Sequence, residues 1–182
     1  MADLTDTLNQ LLESQADTIG QRIGADGTKT RTAIQSAIPA LLAALSEDAD
    51  RGTGLREAIA RDHDGTIIDQ LSDYLGGTAQ LSPRTTNGAG ILEHTLGDRQ
   101  GDMANALSAK SGLDLSSIMK LLPLLAPIIM GMLGKRSGAS GGTSGSGGFG
   151  LDDIGDLLNR EKTDARTQNP DIGDLLDSFT RR

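Results

Sequence analysis

Along the first 133 residues the apolar positions fall three or four apart, the spacing that places them on single faces of α-helices. Leu4, Leu8, Leu11, Leu12 and Ile19 lie close to one such face. Ala33, Ile34, Ala37, Ile38, Leu41, Leu42 and Leu45 form the clearest stripe, with Asp26 or Thr28 as its cap and a kink expected at Pro39. Leu55, Ala58 and Ile59 predict a shorter helix. Ile67, Ile68, Leu71, Tyr74 and Leu75 predict another, capped by Asp64 and stopped by Gly76-Gly77. Ser82-Pro83 and Asn87-Gly88 read as loop. A short helix through Ile91, Leu92, Thr95 and Leu96 ends at Gly97, and one through Met103, Ala106 and Leu107, capped by Asp98, ends at Gly112. Asp114 or Ser116 opens a last apolar helix reaching Leu133. No stretch alternates at period two, so the expected class is all-α, a compact multihelical domain.

Two of these helices share a pattern. Gly24, Asp26 and Pro39 recur as Gly112, Asp114 and Pro127 at one offset, which also aligns Ile34 with Leu122, Leu41 with Ile129 and Leu45 with Leu133. The pattern predicts two pseudo-repeats, each a helix entered through a Gly-Xaa-Asp turn. The second is the more apolar, so it is expected to be the central, most buried helix.

Composition changes the picture after residue 133. Positions 134–150 hold eight of the chain's 24 glycines, and so dense a run of Gly and Ser predicts a flexible linker. The expected organisation is a helical domain at 1–133, a linker at 134–150 and a tail at 151–182. The formal charge is −8, with 17 Lys and Arg against 25 Asp and Glu. That excess repels phosphate backbones and argues against a nucleic-acid partner. There is no Cys, and two His exclude a His-only zinc site. The uncharged run Leu121–Leu133 is shorter than the ~20 residues of a membrane-spanning helix, so it is expected in a core and a membrane partner is disfavoured. The opening Met1-Ala2-Asp3-Leu4-Thr5-Asp6 has neither the basic nor the apolar region of a signal peptide, so none is expected there.

Several short motifs occur in a specific order: Ala33-Ile34-Gln35-Ser36-Ala37-Ile38-Pro39-Ala40-Leu41-Leu42, His63-Asp64-Gly65-Thr66-Ile67-Ile68-Asp69, Gly90-Ile91-Leu92-Glu93-His94-Thr95-Leu96-Gly97, Ser111-Gly112-Leu113 and Leu125-Ala126-Pro127-Ile128-Ile129-Met130-Gly131. Over about residues 10–135 the chain resembles the bacterial YidB-like family of domains of unknown function. The resemblance implies an all-α, multihelical, cytoplasmic bacterial protein and carries no catalytic residues.

Candidate chemistry is sparse. Asp62, His63 and Asp64 with His94 are the residues a metal-dependent hydrolase would use, but such sites need more converging ligands than two His allow. The simpler expectation is that Asp64 caps a helix and His63 is a polar loop residue. Asp48-Ala49-Asp50 and Asp62-His63-Asp64-Gly65 lack the later ligands of a calcium loop. Gly24-Ala25-Asp26-Gly27-Thr28-Lys29-Thr30 lacks the Gly-Lys step of a phosphate loop. No cofactor and no enzymatic activity are expected.

The sharpest clue lies in the tail. Asp153-Ile154-Gly155-Asp156-Leu157-Leu158 recurs as Asp171-Ile172-Gly173-Asp174-Leu175-Leu176. Each copy sets Ile and two Leu on one face of a helix too short to be stable alone. Phe149 and Leu151 flank the first copy and Phe179 follows the second, and these are the chain's two Phe. Large apolar residues on a tether read as binding anchors. The expected function is a non-enzymatic interaction or adaptor protein. Its partner-binding residues are Phe149, Leu151, Ile154, Leu157, Leu158, Ile172, Leu175, Leu176 and Phe179. They dock on a protein partner, or on the chain's own body in cis or by self-association.

Overall fold

The computed structural model describes residues 4–51 and 54–138, with residues 156, 158–160 and 163 of the tail. Over this range the protein is an all-α compact domain. The helices are α1 (Leu4–Glu13), α2 (Ala16–Ile23), α3 (Gly27–Asp50), α4 (Leu55–Asp62), α5 (Thr66–Asp69), α6 (Leu71–Gly76), α7 (Gly88–Thr95), α8 (Gln100–Ser111) and α9 (Leu115–Gly138), with a 3-10 turn at Gly97–Arg99.

Three boundaries differ from the apolar pattern, each for a local reason. The stripe from Leu4 to Ile19 is broken between α1 and α2, where the Ser14 hydroxyl donates to the Leu11 carbonyl in competition with the helical ladder. The Ile67–Leu75 face is split at Gln70, whose φ of −109° and ψ of 26° step the chain from α5 into α6. Asp98 does not cap α8, because Leu96 and Arg99 keep helical dihedrals and the chain winds through the 3-10 turn into α8.

The two longest helices share their construction. α2 ends at Gly24 and α8 at Gly112, both left-handed, with φ of 78° and 70°. Two residues on, Asp26 accepts from the amides of Thr28 and Lys29 at 2.9 and 3.2 Å. Asp114 accepts from the Ser117 amide and hydroxyl, both at 2.8 Å. Each cap satisfies amides that a helix start leaves unpaired. From each follows a 24-residue helix holding the aligned Pro, Pro39 in α3 and Pro127 in α9. The pseudo-repeat is thus an αα-hairpin, α2–α3 and again α8–α9. The hairpins pack on each other through α3 against α8 and α9.

α9 is central. It packs against α2, α3, α4, α5, α7 and α8, and α3 shares the centre with it, packing against α1, α2, α4, α7, α8 and α9 with every residue from Ser36 to Ser46 buried. Ile118, Leu121, Leu122, Leu125, Ile128, Ile129 and Leu133 are fully buried, positions that take in more than one face of the helix. Leu115–Arg136 is long and apolar enough to cross a membrane by length and composition, but 83% of its apolar 18-residue window is buried inside the protein.

Burial on several sides requires neighbours to reach the α9 backbone, and small residues permit it. Pro127 has no amide hydrogen, so the Pro123 carbonyl four positions earlier loses its helical donor. Gly88, the first residue of α7, sits against that carbonyl: a Cβ there would stand 1.8 Å from the Pro123 oxygen. At the other end a Cβ on Gly134 would stand 1.6 Å from the His63 carbonyl oxygen, and one on Gly131 would stand 2.2 Å from the Ile67 Cγ2. The chain therefore stays helical through Gly138, past the linker start expected at residue 134. Gly134 is a packing residue shaped by the turn after α4, which no count of glycines distinguishes from a linker residue.

Substitution separates the two kinds of glycine. Gly88→Ala and Gly134→Ala should each cost about 1–3 kcal/mol through overpacking. Gly101→Ala, in α8 with nothing within 4 Å of its added Cβ, should be neutral or stabilising by up to about 1 kcal/mol. Urea unfolding checks this; equal midpoints for all three variants would contradict the close packing.

Candidate functional site

Two places carry the residues singled out in the sequence. The first is a cavity of about 490 Å³ lined by parts of α3, α4, α7, α9 and the loop before α7. Leu55, Ala58, Ile91 and Met130 give it an apolar wall, and Arg61, Arg84 and Asn87 a polar one. Asp62, His63 and His94 all line it, so the fold brings three of the four hydrolase candidates together, and adds Asp48.

Each candidate also has a local engagement. The Asp62 carboxylate pairs with Arg61 at 3.0 Å, and the hydrogen bond from Arg61 holds its pKa below the usual carboxylate range. Asp64 accepts from the Thr66 hydroxyl at 2.6 Å and the Thr66 amide at 3.0 Å, which lowers its pKa; the cap position of α5 is Gly65, one residue beyond the Asp64 expected there. His94 Nε2 lies 3.9 Å from the carboxylate of Asp48, which is buried. His63 is not an open loop residue: it is 3% exposed, beneath the Gly134 contact, and its Nδ1 is buried with no hydrogen-bond partner among the described residues. Burial disfavours the imidazolium and pushes the His63 pKa below its ordinary value, against the weaker pull of Asp62 and Asp64. Among the described residues no group of three or more His, Cys, Asp or Glu is placed to hold a metal ion.

The second place is the tail's seat on the body. Leu158, the last residue of the first repeated motif, is fully buried and belongs to the same hydrophobic cluster as α3 and α9. The next residue, Asn159, accepts a hydrogen bond through Oδ1 from the Ser46 hydroxyl of α3 at 2.9 Å. Asp156, Leu158, Asn159, Arg160 and Thr163 are helical, and the Thr163 hydroxyl donates back to the Asn159 carbonyl at 2.9 Å. Phe149, Leu151, Ile154, Leu157, Ile172, Leu175, Leu176 and Phe179 lie outside the described residues. Ser46 and Asn159 were not singled out by the sequence. The one signal for Ser46 is a hydroxyl next to Leu45 in an apolar stripe, fully buried in the fold and hence in need of a partner.

A family model described as "Bacterial protein of unknown function (DUF937)" matches residues 6–136. No curated protein and no solved structure matches the chain.

The state of His63 gives the domain a pH dependence of known sign. Its folded pKa lies below the ordinary 6.5. The stability it contributes is complete above that value, where both states are neutral. It is lost as pH falls through 6.5 toward the folded pKa, because the unfolded chain takes up the proton first. The lowered carboxyls of Asp62, Asp64 and Asp114 act in the same direction only below about 3.8. Urea midpoints should therefore drop between about pH 7.5 and about pH 5, and His63→Gln should flatten the drop. An equally steep fall in the variant would place its origin elsewhere.

Proposed function

The chain belongs to the DUF937 family of bacterial proteins of unknown function, and from that premise we propose that it is a non-enzymatic interaction protein whose repeated C-terminal motif is the docking element and whose α3 is a docking surface. The observation that carries this reading is Leu158. A motif on a Gly/Ser-rich tether, expected as a binding anchor, supplies a fully buried leucine to the core of a body it is joined to only through residues 139–155. Burying a leucine side chain is worth about 1.5–3 kcal/mol. The Ser46–Asn159 bond satisfies a hydroxyl that would otherwise be buried without an acceptor.

Within the family we place the chain beside the YidB-like domains, on the motifs through Pro39, His63–Asp69 and Pro127. A cytoplasmic protein without a cofactor is part of that reading. We assign no catalytic role to Asp62, His63, Asp64 or His94. In support, Asp62 is engaged by Arg61, Asp64 by Thr66, and His63 is held toward its neutral form. The motif's sequence suits a protein surface: an apolar face for a groove and acidic residues that keep it soluble when released.

Amide hydrogen exchange on the full chain tests the reading. The amides of Leu158, Asn159 and Arg160 should exchange at least about tenfold more slowly than in an unstructured peptide, a docking free energy near 1.4 kcal/mol. Leu158→Asp should abolish that protection while leaving α3 and α9 unchanged. Random-coil exchange at these three amides in the unmodified chain would sink the proposal.

A further inference from the structure

The seat on α3 takes the Leu158 end of one motif, and the chain carries two copies. Aligning the copies, Leu176 falls on Leu158, Asp177 on Asn159 and Asp174 on Asp156. At the two positions that engage the body the second copy presents equivalent chemistry. The buried leucine is retained. Ser46 is the donor in its bond to the tail, so its partner need only offer an acceptor oxygen, which the Asp177 carboxylate does as well as the Asn159 amide oxygen. Three described positions change between the copies: Asn159 to Asp177, which keeps an acceptor oxygen for Ser46, and Arg160 to Ser178 and Thr163 to Arg181, where both Arg160 and Thr163 are exposed. The buried leucine and the acceptor that the seat meets are thus kept.

We propose that the second motif, Asp171–Asp177, is an alternative occupant of the same α3 seat in the same chain, so that the two copies exchange there and one is always displaced. The inference rests on the docking reading above. The seat faces a choice between two tethered ligands whose advantage is set by reach. Leu158 lies 20 positions beyond Gly138, where α9 ends, and Leu176 lies 38. Effective concentration falls roughly as the −3/2 power of tether length, so the first copy is favoured about 2.6-fold and the second holds the seat in about a quarter of molecules. The displaced copy is available to a groove of the same character, a buried-leucine slot with a hydroxyl donor at its edge. The body then never exposes its own apolar seat while it offers a copy outward.

The test compares amide exchange in four full-length chains: unmodified, Leu158→Asp, Leu176→Asp and the double variant. In the unmodified chain the amides of 158–160 are protected and those of 176–178 are protected in a minority of molecules. Leu158→Asp should move protection to 176–178, raising its occupancy from about a quarter to about four-fifths of molecules or more. Leu176→Asp should raise occupancy at 158–160 slightly, and the double variant should protect neither. Ser46→Ala should weaken both copies alike, by about fivefold in the docking constant for one lost hydrogen bond. The proposal is overturned if Leu158→Asp leaves 176–178 exchanging at the double variant's rate while the unmodified chain protects 158–160. Absence of protection at 158–160 in the unmodified chain has a different signature and removes the docking reading itself. A dimer appearing in Leu158→Asp by sedimentation would put the second copy on another chain and overturn the assignment in cis. Unchanged exchange in α3 and α9 serves as the folding control.

Discussion

Everything in the domain is arranged around one demand: α9 must be surrounded by other helices with its backbone close to theirs. An apolar helix with several buried faces needs partners on each, and helices normally pack 8–10 Å apart because side chains keep the axes separate. Here parts of the surround come closer. The α7 start rests at Gly88 on a carbonyl that Pro127 has deprived of its donor, and the turn after α4 rests on Gly134. The prolines therefore have a structural use beyond bending. By removing amides they leave acceptor oxygens on the helix wall, and a glycine-started neighbour is what fits against such a spot. The same contacts place the cavity and bury His63, so the site inherits its geometry from the packing of α9.

The hairpin repeat extends this logic. Two left-handed glycines, two aspartate caps and two long helices of equal length give the domain a pair of similar halves, each with an unbroken buried run, Ser36 to Ser46 in α3 and Leu125 to Gly134 in α9. α3 carries the same construction with more Ala and with polar Ser36 and Ser46. Those differences leave α3 able to receive something from outside the hairpins, and the tail does so at Ser46. Neighbouring charges tie the far end of α3 down: Arg99 donates to Glu47 at 2.9 Å, and Arg51 approaches the same carboxylate at 3.6 Å.

Much of the fold was legible in the residues. The class, the capping by Asp26 and Asp114, the stops at Gly77 and Gly112 and the burial of the last helix all follow from periodicity and cap chemistry, whereas the equal burial of α3 is not announced by its more polar stripe. Local rules erred where a competing interaction lies outside the periodic signal: the Ser14 hydroxyl, the step at Gln70 and the continuous winding past Asp98. Gly134 shows a different failure, since a close-packed glycine and a linker glycine are the same letter. For the candidate site, the four hydrolase residues could be named, but the convergence of Asp62, His63 and His94 on one cavity, joined by Asp48, is a tertiary fact. Leu158, whose place in the chain's own core is a tertiary fact, was singled out because it repeats. Ser46 was not, because a lone serine beside an apolar stripe announces a need for an acceptor without saying which one.

The last turns of α9 hold one further implication. Lys135 pairs with Asp69 of α5, and the Arg136 guanidinium donates to the Thr7 hydroxyl of α1 at 3.3 Å. The point where the chain leaves the body is thus bolted on two sides, to an early helix and to a middle one. A string hung from a stiff post sweeps a smaller volume than one hung from a fraying end. Under the proposed docking, loosening either bolt lengthens the tether by a few residues and lowers the effective concentration of both motifs, so contacts remote from the α3 seat would bear on how often it is filled.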